Sequence, residues 1–261
     1  MHTNIKYFYL VLIFIAVALI YFYGVPYVRH FLLHFDTKKL YSNLEESPVP
    51  WQIIAESTEG RNIYLLEIGN DHPTTLIFAA FHGNEQTGFH LAVQLAESLY
   101  ANPGQIKGKA VIVPVVNPDG LMARTRTNAN GVDINRNFPT DNWSPAYKDD
   151  DNRPGYAAGS EKETQVVIQL LERYKPDKII TIHTPLKVNN FDGPAEDLAS
   201  EMARYNHYPV KGDIGYPTPG SFGTFAGVEL KIPTVTLELP DISPEKAWDQ
   251  NYEALIQAIN F

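Results

Sequence analysis

The sequence predicts an α/β domain, a mixed and mostly parallel sheet with helices on both faces, preceded by an N-terminal transmembrane helix. Three observations carry that expectation. From residue 51 onward, short apolar runs that end on polar residues alternate with longer segments of helical periodicity, the order that builds a parallel sheet with crossover helices. The runs are apolar at consecutive positions, as strands covered on both faces are. Ahead of them, residues 7–25 carry no charge and are overwhelmingly apolar.

That first segment is nineteen residues long. At about 1.5 Å per residue it reaches roughly 28 Å, close to the hydrocarbon thickness of a bilayer. Tyr7 and Tyr9 at one end and Tyr21 and Tyr23 at the other lie where interfacial aromatics belong. A cleaved signal peptide is the rival, but the run exceeds the usual apolar length of about 7–15 residues and no small-residue cleavage pattern follows. Lys6 precedes the span and Arg29, Lys38 and Lys39 follow it, a basic difference too small to orient it. Residues 1–25 are expected as a membrane anchor. Residues 26–50, with Pro26, Pro48 and Pro50, read as a tether containing a short amphipathic helix over 28–35, and residues 51–261 as the folded domain.

Within that domain, residues 52–55 and 62–66 flank Glu59-Gly60 as a hairpin at a sheet edge. Strands follow over 75–80, 110–116, 178–182 and 234–237, with helices over 88–100, 161–174, 195–205 and 244–259. Residues 141–159, rich in Asp, Pro, Asn and Gly, form a long loop placed to border a cleft. A chain of 261 residues with 44% hydrophobic content supplies one sizeable core and shows no internal repeat. The net charge of −9 argues against nucleic acid, which needs a basic patch. With no cysteine, any metal site must use His and carboxylate ligands.

The chemistry gathers where strands end. Phe81-His82-Gly83-Asn84-Glu85 follows the strand over 75–80, and His183 follows that over 178–182. Two residues spaced i, i+3 reach one ion from the turn opening a helix, and a distant His completes a three-ligand set. Such a set holds one Zn²⁺ per chain and leaves a fourth position for water, whose pKa zinc lowers toward about 7. Alone the H-x-x-E pair is weak, because a loop His and a Glu at a helix N-terminus read equally well as structural. The rest of the chain adds Asn117-Pro118-Asp119-Gly120, then Gly131-Val132-Asp133-Ile134-Asn135-Arg136-Asn137-Phe138, and Glu238 closing the strand over 234–237.

These segments, in this order, resemble the zinc metallocarboxypeptidase family, and the likeness runs from about Trp51 to the C-terminus. Within it the chain looks most like the murein peptide amidases, single-domain members that cut between γ-D-glutamate and meso-diaminopimelate. The segments that carry this are Asn128-Ala129-Asn130-Gly131, Asn142-Trp143, Gly159-Ser160-Glu161, Glu163-Thr164-Gln165 and Pro219-Gly220-Ser221-Phe222-Gly223. The resemblance implies His82, Glu85 and His183 as zinc ligands, Glu238 rather than Glu229 as general base, and Asn135 with Arg136 as the carboxylate clamp. Arg126 would polarise the scissile carbonyl, with Arg124 as its competitor.

Alternation along the last strand puts Thr236 and Glu238 on one face and Leu237 and Leu239 on the other, which aims the carboxylate at a cleft. His72, His90 and His207 lack a partnered motif and read as ordinary residues. Asp119 and Asp133 read as turn-forming, and Asp192 as a solvated loop charge more readily than as a reader of an ammonium group. The expectation is thus a zinc peptidase tethered in a bacterial inner membrane and acting on murein peptides. The alternatives are a general or D,L-metallocarboxypeptidase of the same fold, an N-acyl-amino-acid deacylase, and a non-catalytic module that binds murein fragments.

Overall fold

A computed structural model describes residues 12–70 and 72–261, and the chain divides into two units, Met1–Asn43 and Leu44–Phe261. In the first, helix α1 (Leu12–Ser42) is long and apolar enough to cross a membrane. Tyr7 and Tyr9, which begin the expected span, lie outside the described residues. The helix widens to a π turn at Ile20–Gly24, where Val25 N–H bonds Ile20 C=O just before Pro26. A wide turn at this place accommodates a residue with no N–H to give. The stretch expected as a tether is helical as far as Ser42, because no Gly or Pro interrupts the chain between Pro26 and Ser42.

The second unit starts earlier than residue 51, since Leu44 and Val49 are already buried. Its eight-stranded sheet contains β1 (Gln52–Glu56), β2 (Asn62–Gly69), β3 (Thr74–Ala79), β4 (Lys109–Val113), β5 (Lys178–His183), β6 (Val188–Asp192), β7 (Val210–Lys211) and β8 (Thr234–Glu238), in the order β1-β2-β4-β3-β5-β8-β6-β7. The central four, β4, β3, β5 and β8, are parallel. The β1–β2 hairpin adds antiparallel strands at one edge. At the other edge β6 runs antiparallel to β8, with β7 parallel to β6. The edge strands β6 and β7, absent from the sequence reading, carry Asn189, Asn190 and Asp192, residue types with poor strand propensity that only their pairing with β8 holds extended.

Helices α2 (Gln86–Ala101), α3 (Pro118–Ala123), α4 (Lys162–Tyr174), α5 (Glu196–Asn206) and α6 (Pro244–Asn260) complete the domain. Because consecutive side chains of β3 point to opposite faces, Ile77 joins a core with Leu91, Leu95, Leu198, Met202, Leu255 and Ile259 under α2, α5 and α6. Leu76 and Phe78 join another with Val167, Leu170, Phe138 and Phe222 on the α4 side. Both faces of the sheet are covered, which is why its strands read as unbroken apolar runs.

The chain leaves β3 for β4 on one side and returns to β5 on the other, so the C-terminal end of β3 is a topological switch point, where open α/β sheets place their ligands. Ala80 there has φ 51°, a left-handed conformation that costs a non-glycine residue about 1 kcal/mol. The backbone after it comes so close to α3 that a side chain on Gly83 would overlap the carbonyl of Gly120 and the nitrogen of Leu121. Glycine at 83 is therefore required for space. Gly83→Ala is expected to lower stability by about 2 kcal/mol or more, at the upper part of the overpacking range, because the obstruction is backbone. A denaturant midpoint equal to the parent's would refute this close-approach requirement.

Candidate metal centre and cleft

Register brings the site together. β5 and β8 pair His183 directly with Glu238, and β3 pairs Ala79 with Ile182 of the same β5, which carries the following turn and His82 alongside His183. Glu85 occupies the N-cap of α2, yet its side chain makes no cap bond. The carboxylate turns instead to the two histidines, with Oε1 2.6 Å from His82 Nδ1 and Oε2 3.0 Å from His183 Nδ1. The two Nδ1 atoms lie 3.3 Å apart. Thr184 N–H donates to Glu85 Oε2 at 3.2 Å, and the Phe81 ring stacks on that of His183 with centroids 5.7 Å apart.

Donor atoms from these three buried residues lie within 4.8 Å of one another, which suits them to hold one metal ion. The donor set, two imidazoles and a carboxylate, is the kind zinc takes in hydrolytic sites. The electrostatics favour a cation as well. Burial alone would lower the His82 pKa, but the Glu85 and Asp133 carboxylates outweigh it and push the imidazole up to about 9. Glu85 sits well below the ordinary carboxylate range, since the two histidines beside it overcome the effect of burial. A metal entering this set displaces protons that the same negative surroundings attract.

Asp133 is the residue the sequence reading undervalued. It does form the expected turn, accepting Asn135 N–H at 2.9 Å. Fully buried, it also takes His82 Nε2 at 3.1 Å on Oδ1, and Arg126 Nε and Nη2 at 3.1 and 2.9 Å on Oδ2. A carboxylate behind a ligand imidazole fixes its ring and leaves Nδ1 facing the metal. Its place in the Gly131-to-Phe138 segment was visible, but its contact with His82 comes from a tertiary approach across 51 positions.

The two arginines separate cleanly. Arg124 is exposed and caps α3 in a left-handed conformation, φ 58°, whereas Arg126 lines a cavity of about 200 Å³ that also contains the three candidate ligands. Arg126 Nη1 comes within 3.8 Å of Glu85 Oε1. Arg136 and Asn135 line the same cavity. Phe222 N–H donates to Asn135 Oδ1 at 2.8 Å, which leaves the amide nitrogen for a ligand, and Arg136 Nη1 donates to Asn135 C=O at 2.6 Å. Gly220, at φ 70°, lies so close to Arg136 C=O that no side chain would fit.

Glu238 faces the cavity from the end of β8 together with Thr236, while Leu237 and Leu239 are buried in the core on the other face. Its Oε2 is buried with no hydrogen-bond partner. Burial raises its pKa, offset in part by His183. Glu229 instead binds Asp141 N–H outside the cavity lining. His72 pairs with Asp177 at the surface, and His207 caps α5. Neither they nor His90 belong to the cavity lining.

Two cavity residues carried little or no weight in the sequence. Tyr216, half exposed, stands at the rim, and nothing in Gly215-Tyr216-Pro217 announces it. Asp192 was expected as a solvated loop charge. It instead lines the cavity, where burial pushes its carboxyl up to about 6, because β6, antiparallel to β8, brings it back beside that strand.

A model of the zinc carboxypeptidase family matches residues 42–193. Murein peptide amidase A of Vibrio campbellii is 34% identical over 193 residues, 69% of this chain and 75% of that protein. The protein of the same name from Escherichia coli K12 is 32% identical over 197 residues, 71% and 79% of the two chains. The crystal structure of a murein-tripeptide amidase from Escherichia coli O157 superposes with a TM-score of 0.71 at 30% identity, covering 82% of this chain and 93% of that one. Matched by the family model over more than half its length, and carrying a His, Glu and His cluster at the switch point of a carboxypeptidase-like sheet, the chain belongs to the zinc carboxypeptidase family.

Proposed function

We propose that the protein is a membrane-anchored zinc amidase that hydrolyses the bond between γ-D-glutamate and meso-diaminopimelate in murein peptides. The observation that carries the reading is that one cavity lining holds Arg136 and Asp192 together with the candidate metal ligands, with Asp213 as a further acidic group on it. These charges complement a leaving residue with a free carboxylate next to the cut bond and an ammonium at the end of its side chain. Relatives named murein peptide amidase A support it.

His82, Glu85 and His183 would hold the zinc, which supplies Lewis acidity and a water of lowered pKa. Glu238 takes the proton of the attacking water and returns it to the leaving nitrogen, a task suited to a carboxylate whose pKa burial raises toward the working pH. Arg126, held by Asp133, presents its guanidinium where negative charge develops on the carbonyl oxygen. Arg136 and the free amide of Asn135 take the substrate carboxylate. A carboxypeptidase that removes C-terminal lysine or arginine would use the same two charges, so a panel of both substrate types separates the readings.

Metal content and turnover distinguish the roles. His183→Ala should lose most bound zinc by elemental analysis, whereas Glu238→Gln should keep it and lose about 10²-fold or more in kcat. Stoichiometric zinc in the first variant, or kcat within a few-fold of the parent in the second, contradicts the assignment.

The carboxylate clamp predicts substrate preference. L-Ala-γ-D-Glu-meso-diaminopimelate should be cut well and its counterpart amidated at the carboxylate beside the scissile bond poorly, since a desolvated guanidinium facing a neutral amide is left unpaired. Arg136→Ala should shrink that difference and lower kcat/KM. Equal release of diaminopimelate from both peptides by the parent enzyme rules the clamp out.

We read α1 as an anchor in a bacterial inner membrane, a reading that its length and apolar composition support. Full-length protein should sediment with membranes and resist an alkaline wash. Recovery in the soluble fraction at full length would end it.

A further inference from the structure

Two buried carboxylates at the start of α4, Glu161 and Glu163, are 2% and 0% exposed and lie outside the cavity lining. Glu161 is the N-cap residue, where a side-chain oxygen ordinarily bonds the free N–H groups of the first turn, yet it makes no such bond. It turns instead to the loop before Asp133, its Oε2 accepting Asn128 Nδ2 and Asn130 Nδ2, each at 2.8 Å. Glu163 Oε2 accepts the same Asn128 Nδ2 at 3.1 Å, and its Oε1 accepts Thr58 N–H from the β1–β2 hairpin at 3.2 Å. Holding carboxylates out of water on neutral donors is costly, and both of these are placed around one asparagine.

The other end of Asn128 shows what the arrangement holds. Its Oδ1 accepts the N–H groups of Asn130 and Val132, each at 3.0 Å, and its own N–H donates to Val132 C=O at 2.9 Å. Residues 128–132 are thus wound into a closed turn about this side chain. Arg126 lies just before the turn and Asp133 just after it, and the two are bonded to each other at 3.1 and 2.9 Å. The loop that returns Asp133 to Arg126 therefore has Asn128 at its centre. Its mounting is the first turn of α4, a helix fixed by Val167 and Leu170 in the core.

We propose that Glu161 and Glu163 are positioning residues for the reaction: through Asn128 they hold the Arg126–Asp133 pair, and so fix the guanidinium where charge develops on the carbonyl oxygen. The inference rests on the reading of Arg126 as the group that stabilises that charge. Asn128→Asp isolates the link, since it keeps the oxygen that accepts Asn130 and Val132 N–H and replaces the donor toward α4 by a third carboxylate oxygen. Adding Glu161→Gln and Glu163→Gln places amide donors opposite that oxygen. Their remaining oxygens still take Ser160 Oγ–H and Thr58 N–H.

The test uses the zinc-loaded full chain in detergent and L-Ala-γ-D-Glu-meso-diaminopimelate, with released diaminopimelate and bound zinc both measured. Asn128→Asp should lower kcat by about tenfold or more, since a misplacement of about 1 Å costs up to roughly 10²-fold. KM should stay within about threefold, as expected for an interaction made only in the transition state, and zinc should stay stoichiometric. The triple variant Asn128→Asp, Glu161→Gln, Glu163→Gln should regain most of the lost kcat. In an Arg126→Ala background, Asn128→Asp should cost no more than about twofold further, because the group being positioned is gone. An equal loss in both backgrounds, no loss in the parent, or a zinc-replete triple variant no faster than Asn128→Asp overturns the proposal. If Asn128→Asp fails to fold, Glu161→Ala enters the same cycle with Glu161→Gln as its conservative counterpart, and a loss independent of Arg126 again overturns it. Arg126→Ala with kcat within a few-fold of the parent removes the charge-stabilising reading and the inference with it, whereas a deep loss there without coupling overturns the inference alone.

Discussion

The Asp133 carboxylate is the interaction on which the site depends. It is fully buried, and in such surroundings an unpaired charge would be costly enough to be abandoned by protonation. It is kept ionised, well below the usual carboxylate range, because His82 and the two guanidiniums of Arg126 and Arg136 more than offset its burial. One oxygen receives the ring of His82 and the backbone N–H of Asn135, and the other receives Arg126. A candidate ligand from the turn after β3 and an arginine from the loop after α3 are thereby fixed to a single group, and the short turn that carries Asn135 and Arg136 is pinned to it. Removing it would leave His82 Nε2 without its carboxylate and strip the Arg126 guanidinium of its nearest anion.

Around that carboxylate the site spends local stability on position. Glu85 stands where a helix-capping side chain would ordinarily bond the backbone, yet its carboxylate goes to the histidines. Ala80 holds a left-handed conformation at the end of β3. Glu238 keeps an oxygen buried without a hydrogen bond. Departures of this kind from local preference concentrate at functional sites, where surrounding structure over-determines them. Here the surroundings are two aromatic-rich loops locked together, with Phe138 N–H bonded to Gly220 C=O and the Phe81, Phe138 and Phe222 rings in mutual contact. Asn137 extends the lock outward, its amide donating to Pro154, Ala157 and Ser160 and so folding the long loop against the same frame.

The cavity combines opposite charges without cancelling them. Arg126, Arg136, Asp192 and Asp213 line it, with Asp192 at the end of β6 and Glu238 paired beside His183. Because the protein wall lowers the local dielectric, each charge retains more of its strength than it would in bulk solvent. A ligand must match the order of charges along its length, which is a stricter demand than matching their sum.

Local chemistry decided much by sequence alone. Apolar runs closing on His183 and Glu238 are strands because both faces must be covered, and H-x-x-E after such a run sets two candidate ligands on the turn into a helix. Those are matters of periodicity and spacing within a few residues, which a chain cannot hide. The helix that continues from the apolar segment to Ser42 was legible too, in the absence of any breaker after Pro26, although the prolines before Trp51 drew the reading toward a tether. Tertiary structure alone decided which arginine faces the cavity, since Arg124 and Arg126 differ only in how the end of α3 turns. It alone made Asp133 the partner of His82, by bringing together segments 51 positions apart. It also turned Asp192 from a loop charge into a half-buried carboxylate of the cavity wall, because strand pairing with β8, which no local propensity encodes, folds a polar segment back against Gly223 and Gly227.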